Sequence, residues 1–248
     1  MKIASDKIKK PVKAFLGAQR SAALGATVRS IIRRNKGHSD KSDMSRLEKI
    51  GIEAAAGGIP LRLHFGCGPR ILKEWINFDV LYDPHWKRYY ADERDYPKEI
   101  RGTRSDLFII DISEGPLPLP DNCVSTIFHE DFIEHTSQRT TMLFLAETFR
   151  VLKPGGVHRI STPDLKSSMK RHGRLSAGWK GVHVREWDKH GHINILTPAY
   201  LKELAEMIGY SRIEFNAKHA SSAKNLPAEK RPGNDREMHE QIFCDLIK

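Results

Sequence analysis

Residues 61–80, LRLHFGCGPRILKEWINFDV, limit what this chain can become more than any other stretch. An apolar run breaks into a glycine-cysteine-glycine turn, and a second apolar run ends on an acid. Glycines at 66 and 68 allow a sharp turn and a close backbone approach to a ligand, where any Cβ would collide with it. Asp79, closing the second run, can accept hydrogen bonds from both hydroxyls of a ribose. The strict dinucleotide fingerprint is absent: Ile71 stands at its third glycine, and the acid follows Gly66 by 13 residues instead of about 20. No Walker lysine follows the glycines, so a phosphate cradle would lack its cation. A ligand with a ribose and no phosphate is the better match.

The 248 residues, 39% hydrophobic and 29% charged, suffice for one substantial core. Cys67, Cys123 and Cys244 show no metal or redox spacing, so they read as reduced thiols without a disulfide framework. No apolar run approaches the span of about 18 residues that a membrane helix needs, and no continuous apolar stretch suggests secretion. A cytoplasmic location is therefore expected. The net charge of +10 is unevenly placed: residues 1–38 hold ten Lys or Arg against one acid, Asp6.

Between Val12 and Ile32, apolar residues recur at helical intervals with Lys13, Arg20, Arg29, Arg33 and Arg34 among them. Such a basic amphipathic helix suits an anionic membrane surface at the inner face, or else packs on its own domain with a solvated basic face. An organellar transit peptide is a third reading. Residues 35–46 read as a linker ahead of a short helix over 46–56 that Gly57 and Gly58 end. The expected organisation is thus a helical extension and linker over 1–58 and a globular domain over 59–248. Within it, strands are predicted at 61–65, 76–80, 106–110, 124–129 and 157–162, with a strong helix over 138–152. Thr197 and Pro198 open a further helix that Gly209 closes, and strands near 211–216 and 240–247 are expected to pair antiparallel at one edge. The alternation argues an α/β fold, a mostly parallel sheet with helices on both faces.

Residues 111–165 hold a second set of motifs: Asp111, LPLPDN over 117–122, Glu134 and His135, RVLKPGG over 150–156, and Pro163 to Leu165. Together with the glycine turn and Trp75 to Asp79, in this order, they resemble the class I S-adenosylmethionine-dependent methyltransferases, in particular the small bacterial branch of the type 11 kind. The resemblance spans about residues 61–210. It implies a Rossmann-like seven-stranded sheet with an antiparallel edge strand, and S-adenosyl-L-methionine as cofactor with S-adenosyl-L-homocysteine as product. It assigns cofactor contact to Phe65, Gly66, Cys67, Gly68, Asp79, Val80, Asp111, Ile112, His129 and Glu130. Asp79 would take the ribose diol and Asp111 the adenine amine, although Asp111 also fits as a plain turn cap before Ser113.

The chain departs from this family at the end of its fourth strand. Ser125 replaces an Asp, and His129 and Glu130 replace a small-residue pair. Methyl transfer needs an aligned nucleophile and a group to take its proton. The candidates are His135, His192, Asp131 and Glu130, at the strand ends where ligands of open parallel sheets collect. His190 and His192 have a spacing that could ligate a metal, but no third ligand stands close by in sequence, so no metal is expected.

Residues 164–192 mix Lys and Arg with Trp179 and Trp187, as a lid over an anionic sugar or nucleotide-linked sugar would. The leading expectation is O-methylation of a sugar hydroxyl in a surface polysaccharide or glycolipid, since relatives of this branch are often linked with surface-glycan synthesis. A nucleic-acid methyltransferase is the first rival, supported by the basic N-terminus and opposed by EDFI at the end of the fourth strand in place of an Asn-Pro-Pro-Tyr motif. A methyltransferase-like binding subunit without activity is the second.

Overall fold

The computed structural model describes residues 39–83, 96–172, 184–188, 190–194, 196–233 and 236–248. The chain divides into two compact units, Met1–Gly37 and His38–Lys248, and only the second is described. The basic helix expected between Val12 and Ile32, Trp179 and His183 therefore lie outside the described residues.

Seven strands form one sheet: β1 (Leu61–Phe65), β2 (Ile76–Asp79), β3 (Leu107–Ile109), β4 (Val124–Glu130), β5 (Leu152–Pro163), β6 (Arg212–Phe215) and β7 (Gln241–Ile247). They lie in the order β3-β2-β1-β4-β5-β7-β6. The first five are parallel, while β7 runs antiparallel to both β5 and β6. The expected antiparallel pairing at one edge is present, with the reversed strand β7 set one place inside the edge strand β6. The chain winds from β1 outward through β2 and β3, then returns to build β4 and β5 on the other side of β1. Ligands of such sheets bind where the winding reverses, here at the carboxyl ends of β1 and β4.

The helices are α1 (Lys41–Gly57), α2 (Gln138–Val151), α3 (Leu165–His172) and α4 (Pro198–Ile208). In α2, Ser137 caps the first turn by accepting the Thr140 N–H at 3.1 Å, and Thr141, Phe144, Leu145, Thr148 and Val151 form the buried stripe. Thr197 caps α4 ahead of Pro198, and Gly209 ends it at φ 112° with its N–H bonded to Ala205 and Glu206. Leu63, Phe65, Ile127, Leu145, Leu152 and Ile160 are fully enclosed in the main core. No helix among the described residues is long and apolar enough to cross a membrane.

Strand β5 starts at Leu152, ahead of the expected 157, and the start of the first helix differs in a way that changes the domain boundary. Residues 41–46 are helical, because Asp40 accepts the N–H groups of Ser42 at 2.8 Å and Asp43 at 3.2 Å and so starts the helix earlier. Asp43 accepts the Ile109 N–H at 2.8 Å, and Leu47 is fully enclosed in the main core. Helix α1 therefore belongs to the globular unit, which starts near residue 38 and not at 59.

Gly51 tests this placement. A Cβ there would lie 2.8 Å from both Leu119 and Pro120 side chains. An exposed helical glycine gains about 0.5 to 1 kcal/mol when changed to alanine. Gly51→Ala should instead lose about 1 to 3 kcal/mol through overpacking, read by urea unfolding. A gain would mean that α1 does not pack on this core.

Candidate active site at the switch point of the sheet

The chain leaves β1 at Phe65 and turns through Gly66 at φ 59° and Gly68 at φ 49°. These are left-handed conformations that only glycine adopts freely. The two glycines differ in what they allow. A Cβ on Gly66 would lie 2.6 Å from Cδ2 of Phe132, so Gly66 makes room for a side chain. A Cβ on Gly68 would meet nothing within 4 Å, so open space adjoins the turn there. Between them, Cys67 is buried with Ile71 and Leu107, and burial pushes its thiol well up. Phe65 contributes a fully enclosed ring to the core.

Asp79 faces this opening from the end of β2. Its Oδ2 accepts the Gly68 N–H and its Oδ1 the Val80 N–H, both at 2.8 Å. The acid thus braces the turn. Burial raises its carboxyl from the usual range, while the N–H groups of Gly68, Val80 and Leu81 pull it back. A carboxylate offers about four lone-pair sites, so capacity remains for a ribose hydroxyl. The Ile110 N–H donates to the Asp79 carbonyl at 3.1 Å, which brings the end of β3 alongside. There Asp111 accepts the Ser113 N–H at 2.9 Å, the turn-cap arrangement, and Ile112 packs partly against the main core. Open space at Gly68 and the partly exposed Asp79 fit a nucleoside. Of the residues assigned to the cofactor, Gly68, Asp79 and Val80 come together at the opening.

His129 and Glu130 do not join them. His129 is wholly enclosed, its ring 5.5 Å from Phe132, 5.8 Å from Phe144 and 5.1 Å from His158. Neither ring nitrogen of His129 or of His158 has a hydrogen-bond partner among the described residues. Burial keeps both neutral, lowering His158 to about 3 and His129 well below its usual value. Strand alternation sends Glu130 to the opposite face, where it pairs with Arg70 at 2.9 Å and accepts the Arg231 N–H at 2.7 Å. Arg70 also donates to the Ala228 carbonyl. Burial raises Glu130 to about 7 despite Arg70. The expectation of side-chain contacts from His129 and Glu130 to the cofactor is accordingly replaced: one is core packing, and the other anchors the strap around residues 226–231. Asp131, at φ 47°, accepts from Gln241 at 2.7 Å and pairs with Arg231 at 3.3 Å.

A further group forms just past β4. Glu134 is wholly enclosed; its Oε2 accepts from Thr162 at 3.0 Å, while Oε1 has no partner among the described residues. Burial, reinforced by the charge of Asp131, holds this carboxyl well above its usual value. The Glu134 carbonyl accepts the N–H groups of Ile193 at 2.7 Å and Asn194 at 3.0 Å, fastening the loop before α4 to the end of β4. His192 thereby reaches His135, with ring centroids 5.0 Å apart, and His190 stacks on His192 at 5.4 Å. Nδ1 of His192 lies 3.0 Å from Glu186 Oε2. Arg236 grips the same carboxylate at 3.0 and 3.1 Å, and Ser168 donates to it. Burial alone would raise Glu186, but these bonds outweigh it and hold the carboxyl far below its usual range. A carboxylate on Nδ1 fixes the orientation of the His192 ring. His135 is exposed on one side; burial of the rest, then the His192 ring, lowers it to about 4, so it is neutral at pH 7.

Sequence reasoning missed Arg70, Glu186, Arg231 and Arg236. Each acts through a partner far along the chain, and no local pattern marks such pairs. Lys166 and Lys170 of the expected basic lid line a groove of about 680 Å3 beside Asp164, whereas Arg171 is tied to Glu240 at 2.7 Å. Asp164 itself caps α3 by accepting the Lys166 N–H at 3.0 Å.

Residues 63–160 match the family described as methyltransferase domain. A probable S-adenosylmethionine-dependent methyltransferase of Mycolicibacterium smegmatis is 31% identical over 153 residues, 55% of this chain and 53% of the relative. The chain thus spans about half the length of the curated relative it matches. Among solved structures, a SAM-dependent methyltransferase from Archaeoglobus fulgidus superposes with a TM-score of 0.48 at 15% identity, covering 83% of this chain and 92% of that one. The 1,6-didemethyltoxoflavin-N1-methyltransferase of Burkholderia thailandensis gives 0.42 at 12% identity, covering 95% and 89%.

Asp79→Ala should weaken S-adenosylmethionine binding by about tenfold or more, since charge-assisted hydrogen bonds are worth ~1.5 to 3 kcal/mol; calorimetry showing unchanged affinity would remove Asp79 from the site. The buried histidines set a pH dependence of stability. Folded-state values of His129 and His158 are depressed, so their contribution is complete above the unfolded value of about 6.5 and is lost as pH falls toward the folded one. Unfolding free energy should drop by up to about 1.4 kcal/mol per pH unit for each histidine below that point, and His158→Phe should flatten the slope. An identical slope in parent and variant would contradict neutral burial. Residues 63–160, which run from β1 to β5, thus match a methyltransferase domain, and the glycine turn and its acid lie within the matched segment.

Proposed function

We propose that the chain is an O-methyltransferase acting on a sugar hydroxyl of a surface polysaccharide or glycolipid. The observation that carries the reading is the pairing of Asp79 with the open Gly68 turn at the switch point of a sheet whose residues 63–160 match a methyltransferase domain. Gly68, Asp79 and Val80 would hold the adenosine, with Asp111 at its edge. When bound, S-adenosylmethionine supplies an activated methyl group. The chain itself must bring the acceptor oxygen into line and handle its proton. His135 and His192 are the groups suited to this, since both lie past the carboxyl end of β4 and Glu186 orients His192. Support for an anionic acceptor comes from Lys166 and Lys170 in the groove at the end of β5. The surplus of Lys and Arg in residues 1–38 would hold the enzyme near an anionic membrane, where such polymers are made.

Methyl-labelled cofactor offered with oligosaccharide and nucleotide-sugar acceptors, and separately with RNA, tests the reading. Label is expected in the sugar fraction. Label in RNA, with binding that falls steeply with salt, would favour the nucleic-acid rival, and failure to bind cofactor would favour the inactive subunit. His135→Ala and His192→Ala should each lower kcat by about 100-fold or more with cofactor affinity nearly unchanged. Full turnover in both would move the search to Asp131.

A further inference from the structure

Glu134, His135 and His192 each place one donor atom so that all three lie within 4.8 Å of one another. Two come from the turn after β4 and the third from the loop before α4, held there by the Glu134 carbonyl. We propose that these three side chains form a binding site for one divalent transition-metal cation.

Four observations carry this beyond a chance cluster. Glu134 is fully enclosed, yet its Oε1 has no partner among the described residues. A buried carboxylate oxygen left bare is strongly unfavourable, and a cation removes that cost. His192 has its Nδ1 on the Glu186 carboxylate, which Arg236 and Ser168 lock in turn. That carboxylate-histidine pairing is the support that metal-ligating imidazoles have. Asp131 adds negative charge beside Glu134, part of it matched by Arg231 at 3.3 Å. Finally, His135 is exposed, which gives the cluster a route to solvent. Two imidazoles and one carboxylate suit borderline cations such as Mn2+, Fe2+, Co2+ or Zn2+ better than Ca2+ or Mg2+, which favour all-oxygen sets.

The cation site stands on this geometry alone. What occupies its open positions rests on the proposed function, under which an acceptor oxygen replaces water there and is both oriented and made more acidic. The imidazole lone pairs of His135 and His192 would then serve the metal and not the proton.

The test uses the full chain, stripped with a chelator and titrated with Mn2+ while the free ion is followed by electron paramagnetic resonance. One saturable ion per chain is expected, displaced by Zn2+. His135→Asn, at an exposed position, and Glu134→Gln should each weaken Mn2+ by about tenfold or more. Absence of saturable binding, or binding unchanged in both variants, would overturn the site. Calorimetry with S-adenosylmethionine in the presence of chelator separates the two readings. Cofactor binding without Mn2+ binding sinks only the cation site. Mn2+ binding sensitive to these variants but without cofactor binding upholds the site and sinks the methyltransferase reading.

Discussion

The backbone at Asp131 stands in the left-handed region at φ 47°, with its N–H donating to the Ser161 carbonyl of β5 at 2.9 Å. The surrounding groups take their places from that reversal. Before it, strand alternation sends His129 toward α2 and Glu130 toward the strap around residues 226–231. After it, Phe132 folds back over Gly66, Ile133 enters the core, and Glu134 and His135 turn toward the loop that carries His192. A left-handed conformation costs about 1 to 2 kcal/mol for a residue with a Cβ, least for Asn and Asp. The bond to Ser161 and the ties of its carboxylate to Gln241 and Arg231 offset that cost.

The same reversal explains why so many charged groups are enclosed here. Glu130, Glu134 and Glu186 all lie at or beyond the carboxyl ends of the strands, and two of them are matched by Arg70 and Arg236. Removing one member of such a buried pair typically costs about 3 to 5 kcal/mol, so Arg70 and Arg236 hold the chain in one arrangement. Arg159 does the same deeper in the sheet, enclosed between Glu229 at 2.7 Å and Asp245 at 3.2 Å. Glu134 departs from this pattern: its carboxylate takes its hydrogen bond from a neutral hydroxyl, that of Thr162.

Most of the fold is legible in the sequence. Apolar runs with clear ends locate the strands, and caps such as Ser137, Thr197 and Gly209 locate the helices, because both signals act within a few residues. Helix α1 reads too short because Asp40 sits inside a polar stretch that resembles a linker, and only its bonds to Ser42 and Asp43 show it to be a cap. The left-handed turn at Gly68 and its bond to Asp79 are legible too, since both are marked by turn chemistry. The roles of His129 and Glu130 are not. A histidine at a strand end reads as functional, and nothing in the sequence shows that Phe132, Phe144 and His158 close around it. Nor can spacing reveal that Glu134 and His192 meet, because a loop fastened by two backbone bonds brings them together.

Gly66 joins the two ends of this arrangement. Read from the sequence, it is a glycine beside a ligand; in the structure it is the seat of Phe132, whose ring would clash with any Cβ there. Phe132 stands two residues before Glu134, so its depth against the turn after β1 helps set how far the Glu134–His135 segment reaches toward His192. A bulkier residue at 66 would lift Phe132 and move Glu134 and His135 without touching Gly68 or Asp79. The turn that reads as a nucleoside grip therefore has a second role, which is to fix the height of the neighbouring turn that carries Glu134 and His135.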